Sequence, residues 1–254
     1  MVALDIDGTL VDETGYMPSH VKDSVARALK GGAKVVLSTG RGWYATKPIF
    51  DTLSLPPGPA VCSNGAVLCT YPPFEITRVA TFNPEKVIRH VVSRAPNARI
   101  AVEVIGKGFR LNKMFPDGDL DGEMTIESIE QLCAEPANRI IIRDPDVPSE
   151  EFLGLAEEMG MHGVSYAVGW SNWLDIAPEG VNKASGLEVI CADLGIDRAD
   201  VLAIGDGFND VEMLAWAGRG VAMGNAADGV KAYADAVTDH FTQDGMSAEL
   251  RRWF

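Results

Sequence analysis

The chain has 254 residues, of which 46% are hydrophobic and 23% are charged. This composition is typical of a folded globular protein with a substantial core, and it excludes an intrinsically disordered chain. The formal net charge of −14 argues against nucleic acid or an anionic membrane surface as the main partner. No apolar run is long enough to span a membrane, and Asp5 comes too early for a secretory signal, so we expect a cytoplasmic protein.

The first segment of the chain alternates short apolar runs with helical patterns. We predict strands at residues 2–6, 33–37 and 60–62 and a helix at 42–53. A further helix is predicted from the pattern that follows Pro18-Ser19 and stops at Gly31-Gly32. Strands that alternate with helices pair in parallel, so this order predicts a doubly wound sheet. A hairpin with strands at 67–70 and 76–82 follows.

The middle of the chain mixes hairpins with helices and is acidic, whereas the first 81 residues are neutral. We predict helices at 84–95, 125–134 and 150–160, and strands at 99–105, 109–112, 139–143, 164–168 and 173–177. The mixture of elements and the change of charge near residue 82 together predict a separate α+β unit.

The alternating order returns after this unit. We predict helices at 183–194, 209–217 and 226–234, and strands at 201–204, 220–223 and 236–238. The sequence therefore predicts an α/β fold with a Rossmann-like doubly wound parallel sheet core, formed by residues 1–82 and 179–254. An α+β cap domain, residues 83–178, is inserted between the two parts of the core.

The cysteines and histidines show no pattern of metal ligands. There is no C-x-x-C pair and no Cys/His cluster with zinc spacing. A chain of this size does not need disulfide bonds, so we expect reduced and mostly buried thiols. The residues concerned are Cys62, Cys69, Cys133, Cys191, His20, His90, His162 and His240.

Polar side chains follow several of the predicted core strands. Asp5 and Asp7 end the first strand, where alternation would place their carboxylates on the same side of the chain. Two such carboxylates repel each other unless a cation joins them, and their hard oxygen atoms suit Mg²⁺. Ligands of open parallel sheets bind at the carboxyl ends of the strands. The other residues expected at this edge are Ser38, Thr39, Gly40, Arg41, Asn64, Lys183, Asp206, Asn209 and Asp210.

These motifs, taken together, resemble those of the haloacid dehalogenase superfamily. The resemblance is carried by Asp5-Ile6-Asp7-Gly8-Thr9, Thr39-Gly40-Arg41, Ser63-Asn64-Gly65-Ala66, Gly180-Val181-Asn182-Lys183 and Gly205-Asp206-Gly207-Phe208-Asn209-Asp210. The stretches 221–226 and 244–246 are similar to the Cof-like sugar-phosphatase branch, which has a large cap between its second and third motifs. The resemblance covers both parts of the core, and it covers the cap only by position and size.

The resemblance implies a catalytic role for three residues. Asp5 would be the nucleophile that attacks phosphorus and forms a phosphoaspartate. Asp7 would protonate the leaving oxygen and then activate the water that hydrolyses the intermediate. Lys183 would neutralise charge on the nucleophile and on the transferring phosphoryl group.

The resemblance also implies a metal site and a phosphate site. Asp206 would complete a Mg²⁺ site with the Asp5 carboxylate and the Asp7 backbone carbonyl, and Asp210 would support it directly or through water. Arg41 could contact the phosphate, or it could be a surface residue in the first turn of a helix. The residues expected to bind or line the phosphate site are Thr39, Gly40, Arg41, Asn64, Lys183 and Asn209.

The implied activity is that of a Mg²⁺-dependent phosphatase acting on a small phosphorylated metabolite. A sugar phosphate is the first choice of substrate and phosphoglycolate a related one, and the cap would exclude water and select small substrates. The alternatives are a phosphomutase or phosphotransferase that uses the same phosphoaspartate, and a non-catalytic sensor. The complete set of catalytic and metal residues argues against the sensor. We expect a monomer or a homodimer.

Two features of the predicted cap have a structural as well as a functional interpretation. Residues 117–128 resemble an EF-hand calcium loop, but Ser128 stands where a bidentate Glu is needed, so a solvated acidic loop is favoured. Trp170, Trp173 and Asp175 lie near the end of the cap. Trp173 could stack on a sugar ring, or it could make an aromatic contact within the cap.

Overall fold

A computed structural model of the chain describes residues 1–144, 152, 154, 164–169 and 172–254. The helix predicted at 150–160 lies largely outside the described residues, as do His162 and Trp170. All four cysteines are free, and three of them are buried, as the sequence predicts. Within the described part of the chain, no helix is both long and apolar enough to cross a membrane.

The first sheet is built from both ends of the chain. Its strands are β1 Val2–Leu4, β2 Val35–Ser38, β3 Gly58–Cys62, β4 Val67–Tyr71, β5 Glu75–Val79, β12 Leu202–Gly205, β13 Arg219–Ala222 and β14 Ala236–Val237. They are arranged in the order β14-β13-β12-β1-β2-β3-β4-β5. Neighbours from β14 to β3 are parallel, whereas β4 and β5 extend the sheet as an antiparallel hairpin. The predicted doubly wound α/β core is confirmed.

Helices cover both faces of this sheet. They are α1 Ser19–Lys30, α2 Trp43–Thr52, α5 Lys183–Leu194, α6 Val211–Trp216, α7 Asp228–Lys231 and α8 Gly245–Leu250. Successive strand residues point to opposite faces, so Leu4 and Leu37 pack with α1, α2 and α8. Ala3 and Val36 point the other way and pack with α5, α6 and α7. Two apolar layers therefore hold the central strands of the sheet in place.

A second sheet is built from residues between the two parts of the first. Its strands are β6 Arg99–Val104, β7 Gly108–Leu111, β8 Glu123–Ile126, β9 Ile140–Arg143, β10 Val164–Gly169 and β11 Trp173–Pro178. Their order is β10-β11-β9-β6-β7-β8, and only β7 and β8 are parallel neighbours. The helices α3 Glu85–Arg94 and α4 Ile129–Leu132 contribute to the apolar layer of this sheet. The cap limits at residues 83 and 178 stay a prediction.

The helix predicted at residues 125–134 exists, but it is shorter and begins later than predicted. Residues 123–126 form β8, which pairs with β7, and α4 begins only at Ile129. The Ser128 side chain accepts from the Gln131 backbone N–H, and the Gln131 side chain accepts from the Ser128 backbone N–H. This capping box fixes a later helix start, and strand pairing outweighs the local helical preference before it. The structure also contains α8, where no helix is predicted.

The second sheet contains a buried ion pair between Arg139 and Asp175. The Arg139 Nε and Nη2 atoms donate to the two Asp175 oxygens at 2.7 and 2.6 Å. The two side chains are only 7% and 9% exposed. A buried pair of this kind is costly to break, because the remaining partner becomes an uncompensated buried charge.

We expect Asp175→Asn to lower the free energy of unfolding by about 3 kcal/mol, because it leaves the Arg139 charge buried without a counter-ion. Urea denaturation measures the change. The control is Asp51→Asn, which breaks the exposed pair between Lys47 and Asp51 and should change stability little. Equal losses in the two variants would contradict the account of Arg139 as a buried charge.

Candidate active site

The site lies where the parallel strands of the first sheet end. Asp5 directly follows β1, Thr39 follows β2 and Asp206 follows β12, while Lys183 is the first residue of α5. Parallel pairing of β1 with β2 and with β12 brings these ends to one edge. The fold thereby joins residues as far apart in the chain as Asp5 and Lys183.

A buried ammonium group lies between two carboxylates at the centre of the site. Lys183 has no exposed surface, and its Nζ donates to Asp5 Oδ1 at 2.7 Å and to Asp210 Oδ1 at 2.6 Å. Burial alone would lower the pKa of Lys183, but the neighbouring Asp210 and Asp5 raise it above its ordinary value. The raised pKa favours a positively charged Lys183 next to Asp5 and Asp210.

Three carboxylates lie close together around this ammonium group. Oxygen atoms of Asp5, Asp206 and Asp210 all lie within 4.8 Å of one another. Burial, followed by repulsion from Asp210, raises the pKa of the Asp5 carboxyl well above its ordinary value. The same two causes raise the pKa of Asp206 to about 7. A donor set of mutually repelling, hard oxygen atoms fits a divalent cation such as Mg²⁺.

Asp210 is held by hydrogen bonds on both of its oxygen atoms. Oδ1 accepts from Lys183, and Oδ2 accepts from the backbone N–H groups of Asp206 and Gly207 at 3.0 and 2.9 Å. A Cβ atom at Gly205 would lie 2.4 Å from the Asp210 Cγ, so only glycine allows this close approach. Asp210 thus fixes the turn that carries Asp206.

Asp206 is held from the opposite side by Asn225. The Asn225 Nδ2 donates to Asp206 Oδ2 at 2.9 Å and to the Gly8 carbonyl at 3.0 Å. Gly8 has a φ of +72°, and a Cβ there would lie 2.1 Å from Asp206 Oδ2. Although the stretch containing Asn225 resembles the Cof-like branch, the sequence analysis assigns this residue no role. Its position directly after a core strand was the signal for one.

Asp7 lies apart from the three-carboxylate cluster. The strand ends at Leu4, and the chain turns at Gly8, so the Asp7 side chain is 59% exposed. Its carboxylate accepts from the Arg41 Nε at 2.9 Å and Nη2 at 2.5 Å. Arg41 precedes α2, and neither interpretation offered from the sequence anticipates this contact. Burial would lower the pKa of Arg41, but hydrogen bonding to Asp7 helps to raise it.

Polar groups from three further loops lie against one another. Thr39 is fully buried, and its Oγ1 accepts from the Arg41 backbone N–H at 3.0 Å. The Asn209 Nδ2 donates to Asn64 Oδ1 at 2.9 Å. A Cβ at Gly40 would lie 3.1 Å from the Asn64 Oδ1 and 3.2 Å from the Asn209 Nδ2. The structure therefore brings these predicted phosphate-site residues together.

The second sheet contacts the site through Glu103 of β6. The Glu103 Oε2 accepts from the Ser63 Oγ at 2.7 Å and from the Asn138 Nδ2 at 2.9 Å, and the side chain is buried. A Cβ at Gly42 would lie 2.4 Å from the Glu103 Oε1. Glu103 thus reaches both the end of β3 and the start of α2. A single acidic residue within an apolar strand was the sequence signal for this contact.

Two features of the predicted cap, the Trp173 region and the acidic loop at residues 117–128, make defined contacts in the structure. Trp173 packs edge-to-face on Phe115, with ring centroids 6.3 Å apart, and Asp175 pairs with Arg139. In the acidic loop, Asp119 forms an ion pair with Arg143, and residues 123–126 of the loop form β8.

Comparison with known proteins identifies the family. The family model described as haloacid dehalogenase-like hydrolase matches residues 2–250. The chain is 30% identical to the pyridoxal phosphate phosphatase YbhA of Escherichia coli, over 97% of this chain and 96% of that protein. It is 28% identical to the 5-amino-6-(5-phospho-D-ribitylamino)uracil phosphatase YitU of Bacillus subtilis, over 100% of this chain and 97% of that protein.

A solved structure supports the fold independently. The HAD subclass IIB sugar phosphatase BT4131 matches with a TM-score of 0.84 at 23% identity, over 99% of this chain and 98% of that one. Its likeness extends over the first sheet and the sheet inserted into it. Because the family model also spans nearly the whole sequence, the chain belongs to the haloacid dehalogenase-like hydrolases.

Proposed function

We propose that the chain is a Mg²⁺-dependent phosphatase that hydrolyses a small phosphorylated metabolite through a phosphoaspartate on Asp5. The observation that carries this proposal is the buried Lys183 ammonium, which binds Asp5 and Asp210 beside the Asp206 carboxylate. Phosphoryl transfer depends on positioning and on neutralising the charge of the phosphoryl oxygens, and this cluster provides both.

Asp5 supplies the nucleophilic oxygen. Lys183 holds its Oδ1, so Oδ2 is the oxygen that attacks phosphorus. A new O–P bond forms as the bond from phosphorus to the substrate oxygen breaks. Asp7 enters this step in its protonated form, with one oxygen released from Arg41, and gives its proton to the leaving oxygen. Water then attacks phosphorus, Asp7 takes a proton from it, and phosphate leaves while the Asp5 carboxylate is restored.

The metal would be held by the carboxylates of Asp5 and Asp206 and by the backbone carbonyl of Asp7. When bound, Mg²⁺ supplies positive charge to the transferring phosphoryl group. Asp210 acts as a brace for this site, because both of its oxygen atoms already accept hydrogen bonds from the protein.

The remaining loops bind the phosphate and position the proton donor. Thr39, Gly40, Asn64 and Asn209 line the phosphate side of the site with hydroxyl, amide and backbone N–H groups. Arg41 is a positioning residue for Asp7, since its planar guanidinium group holds both carboxylate oxygens.

The proposed substrate class is a small phosphate ester. A sugar phosphate is our first choice. The names of the two relatives suggest pyridoxal phosphate and a phosphorylated ribitylaminouracil as further candidate substrates. We also propose a cytoplasmic location and a monomeric or homodimeric state.

A panel of phosphorylated metabolites tests the activity directly. We expect Mg²⁺-dependent release of free phosphate, and a loss on the order of 10³-fold or more in Asp5→Asn, because the nucleophile is removed. Asp5→Asn should stay folded, since Lys183 keeps its contact with Asp210, and thermal unfolding checks this. An active Asp5→Asn enzyme would refute the mechanism. Transfer of phosphate back to the substrate without release would indicate a mutase.

The role of Arg41 predicts a dependence on the leaving group. Arg41→Ala should lower kcat/KM for an alkyl phosphate about 10- to 100-fold, because a misplaced Asp7 protonates the leaving oxygen poorly. For p-nitrophenyl phosphate, whose leaving group needs no proton, the loss should be much smaller. Asp7→Asn is the matched comparison and should show the same pattern. Equal losses for both substrates would instead favour direct binding of the phosphate by Arg41.

The raised pKa of Asp206 predicts a pH dependence of the metal-free protein. The folded state binds the Asp206 proton more tightly than the unfolded state does. Protonation of Asp206 therefore stabilises the folded state at low pH, and this stabilisation is lost as pH rises through about 7. With a chelator present, urea denaturation from about pH 6 to about pH 8 should show wild type losing stability relative to Asp206→Asn. Saturating Mg²⁺ should remove this difference. Parallel pH profiles in chelator would contradict the assignment.

A further inference from the structure

The side-chain amide of Asn225 joins three separate segments of the chain. Its Nδ2 donates to the Gly8 carbonyl at 3.0 Å and to Asp206 Oδ2 at 2.9 Å. Its Oδ1 accepts from the Phe241 backbone N–H at 2.9 Å. Asn225 thus connects the turn after β1, the turn after β12 and the segment that precedes α8.

The orientation of this amide is fixed by its partners. A backbone N–H can only donate, so the oxygen of Asn225 must face Phe241. Both hydrogens of the nitrogen are then used, one on the Gly8 carbonyl and one on Asp206. No rotation of the amide by 180° satisfies all three partners, so the nitrogen is held against Asp206.

This contact determines which oxygen of Asp206 can serve a ligand. Oδ2 lies between Asn225 and Gly8, where a Cβ atom would be only 2.1 Å away. Among the described residues, Asp206 Oδ1 has no hydrogen-bond donor of its own. Asn225 therefore occupies Oδ2 and leaves Oδ1 for a ligand, in a cluster where oxygen atoms of Asp5, Asp206 and Asp210 lie within 4.8 Å of one another.

The same amide fixes the turn that carries Asp7. The Gly8 carbonyl that it holds is one residue beyond the Asp7 backbone carbonyl, which would also serve the metal. Asn225 itself is held in place from behind, because Gly224 N–H donates to the Asp239 carbonyl at 3.0 Å. The segment from Asp239 to Phe241 thus acts as a support for the metal side of the site.

We propose that Asn225 is a positioning residue for the Mg²⁺ site, acting through Asp206 and through the turn at Gly8. The proposal rests on the proposed function, since it concerns the metal of that site. Residues that hold metal ligands by hydrogen bonds typically contribute 10- to 100-fold to metal affinity. Asn225 is expected to act on Mg²⁺ affinity more than on the chemical step at saturating metal.

The experiment compares Asn225→Ala with Asn112→Ala. Asn112 is a matched control in the second sheet, because its Nδ2 donates to the Ala98 carbonyl at 3.0 Å and its Oδ1 accepts from Ile100 N–H at 2.7 Å. Mg²⁺ binding is measured by calorimetry and by the rise of the unfolding temperature with Mg²⁺ concentration. We expect Asn225→Ala to weaken Mg²⁺ binding about 10- to 100-fold and Asn112→Ala to leave it unchanged. In Asn225→Ala, kcat should largely recover at saturating Mg²⁺.

A second variant, Asn225→Leu, keeps the side-chain size while removing the amide, and it should weaken Mg²⁺ binding as Asn225→Ala does. Mg²⁺ binding by Asn225→Ala as tight as that of Asn112→Ala would overturn the inference and leave the proposed function intact. Failure of both Asn225 variants to fold would also overturn it, because Asn225 would then belong to the scaffold. A wild-type protein that binds no Mg²⁺ would overturn both the inference and the proposed function.

Discussion

The contact of the buried Lys183 ammonium with Asp5 and Asp210 is the interaction on which the rest of the site depends. A buried lysine without counter-charges would lose its proton, and two such carboxylates without a cation would repel each other. The contact also fixes chain positions, because Lys183 begins α5 and the Asn182 side chain caps that helix by accepting from Ser185 N–H. The chain therefore returns from the second sheet to the first at a defined point.

Close backbone packing keeps the carboxylates in place before any substrate arrives. Gly8 and Gly205 let the side chains of Asp206 and Asp210 lie against the backbone of neighbouring turns. Backbone N–H groups and the Asn225 amide then occupy the inward-facing oxygens. Groups fixed in this way need little reorganisation as charge develops on phosphorus, which is the main requirement of electrostatic catalysis. Hydrogen bonding thus determines which oxygen atoms remain for metal and substrate.

The sequence predicts the core of this arrangement well because parallel strand ends must meet at one edge. That rule alone places Asp5, Thr39 and Asp206 together, and the observed strands agree with it. The rule says nothing of where a strand stops, so it does not reveal that Asp7 turns away. The pairing of Asp7 with Arg41 depends on the turn at Gly8, which a residue pattern does not encode.

The second sheet is less predictable, because its elements depend on pairing between distant segments. Residues 125 and 126 belong to a predicted helix, but they form part of a strand because β7 offers a parallel partner. Glu103 is the only acidic residue of its strand, which marks it as unusual. Its contact with Ser63 cannot be predicted, however, without knowing where the second sheet lies relative to the first. Asn225 is equally hard to predict, because its role depends on hydrogen bonds to three segments that are distant in sequence.

The acidity of the chain is consistent with an anionic substrate because attraction acts locally at the site. With a net charge of −14, the protein as a whole repels a phosphate ester. Mobile ions screen exposed charges beyond about 10 Å, whereas buried groups are screened much less. Lys183 is buried, Arg41 is partly buried, and a divalent cation among the three carboxylates would reverse the local sign. A metal bound there would therefore do more than activate phosphorus, because without it the carboxylate cluster would oppose the approach of the anionic substrate.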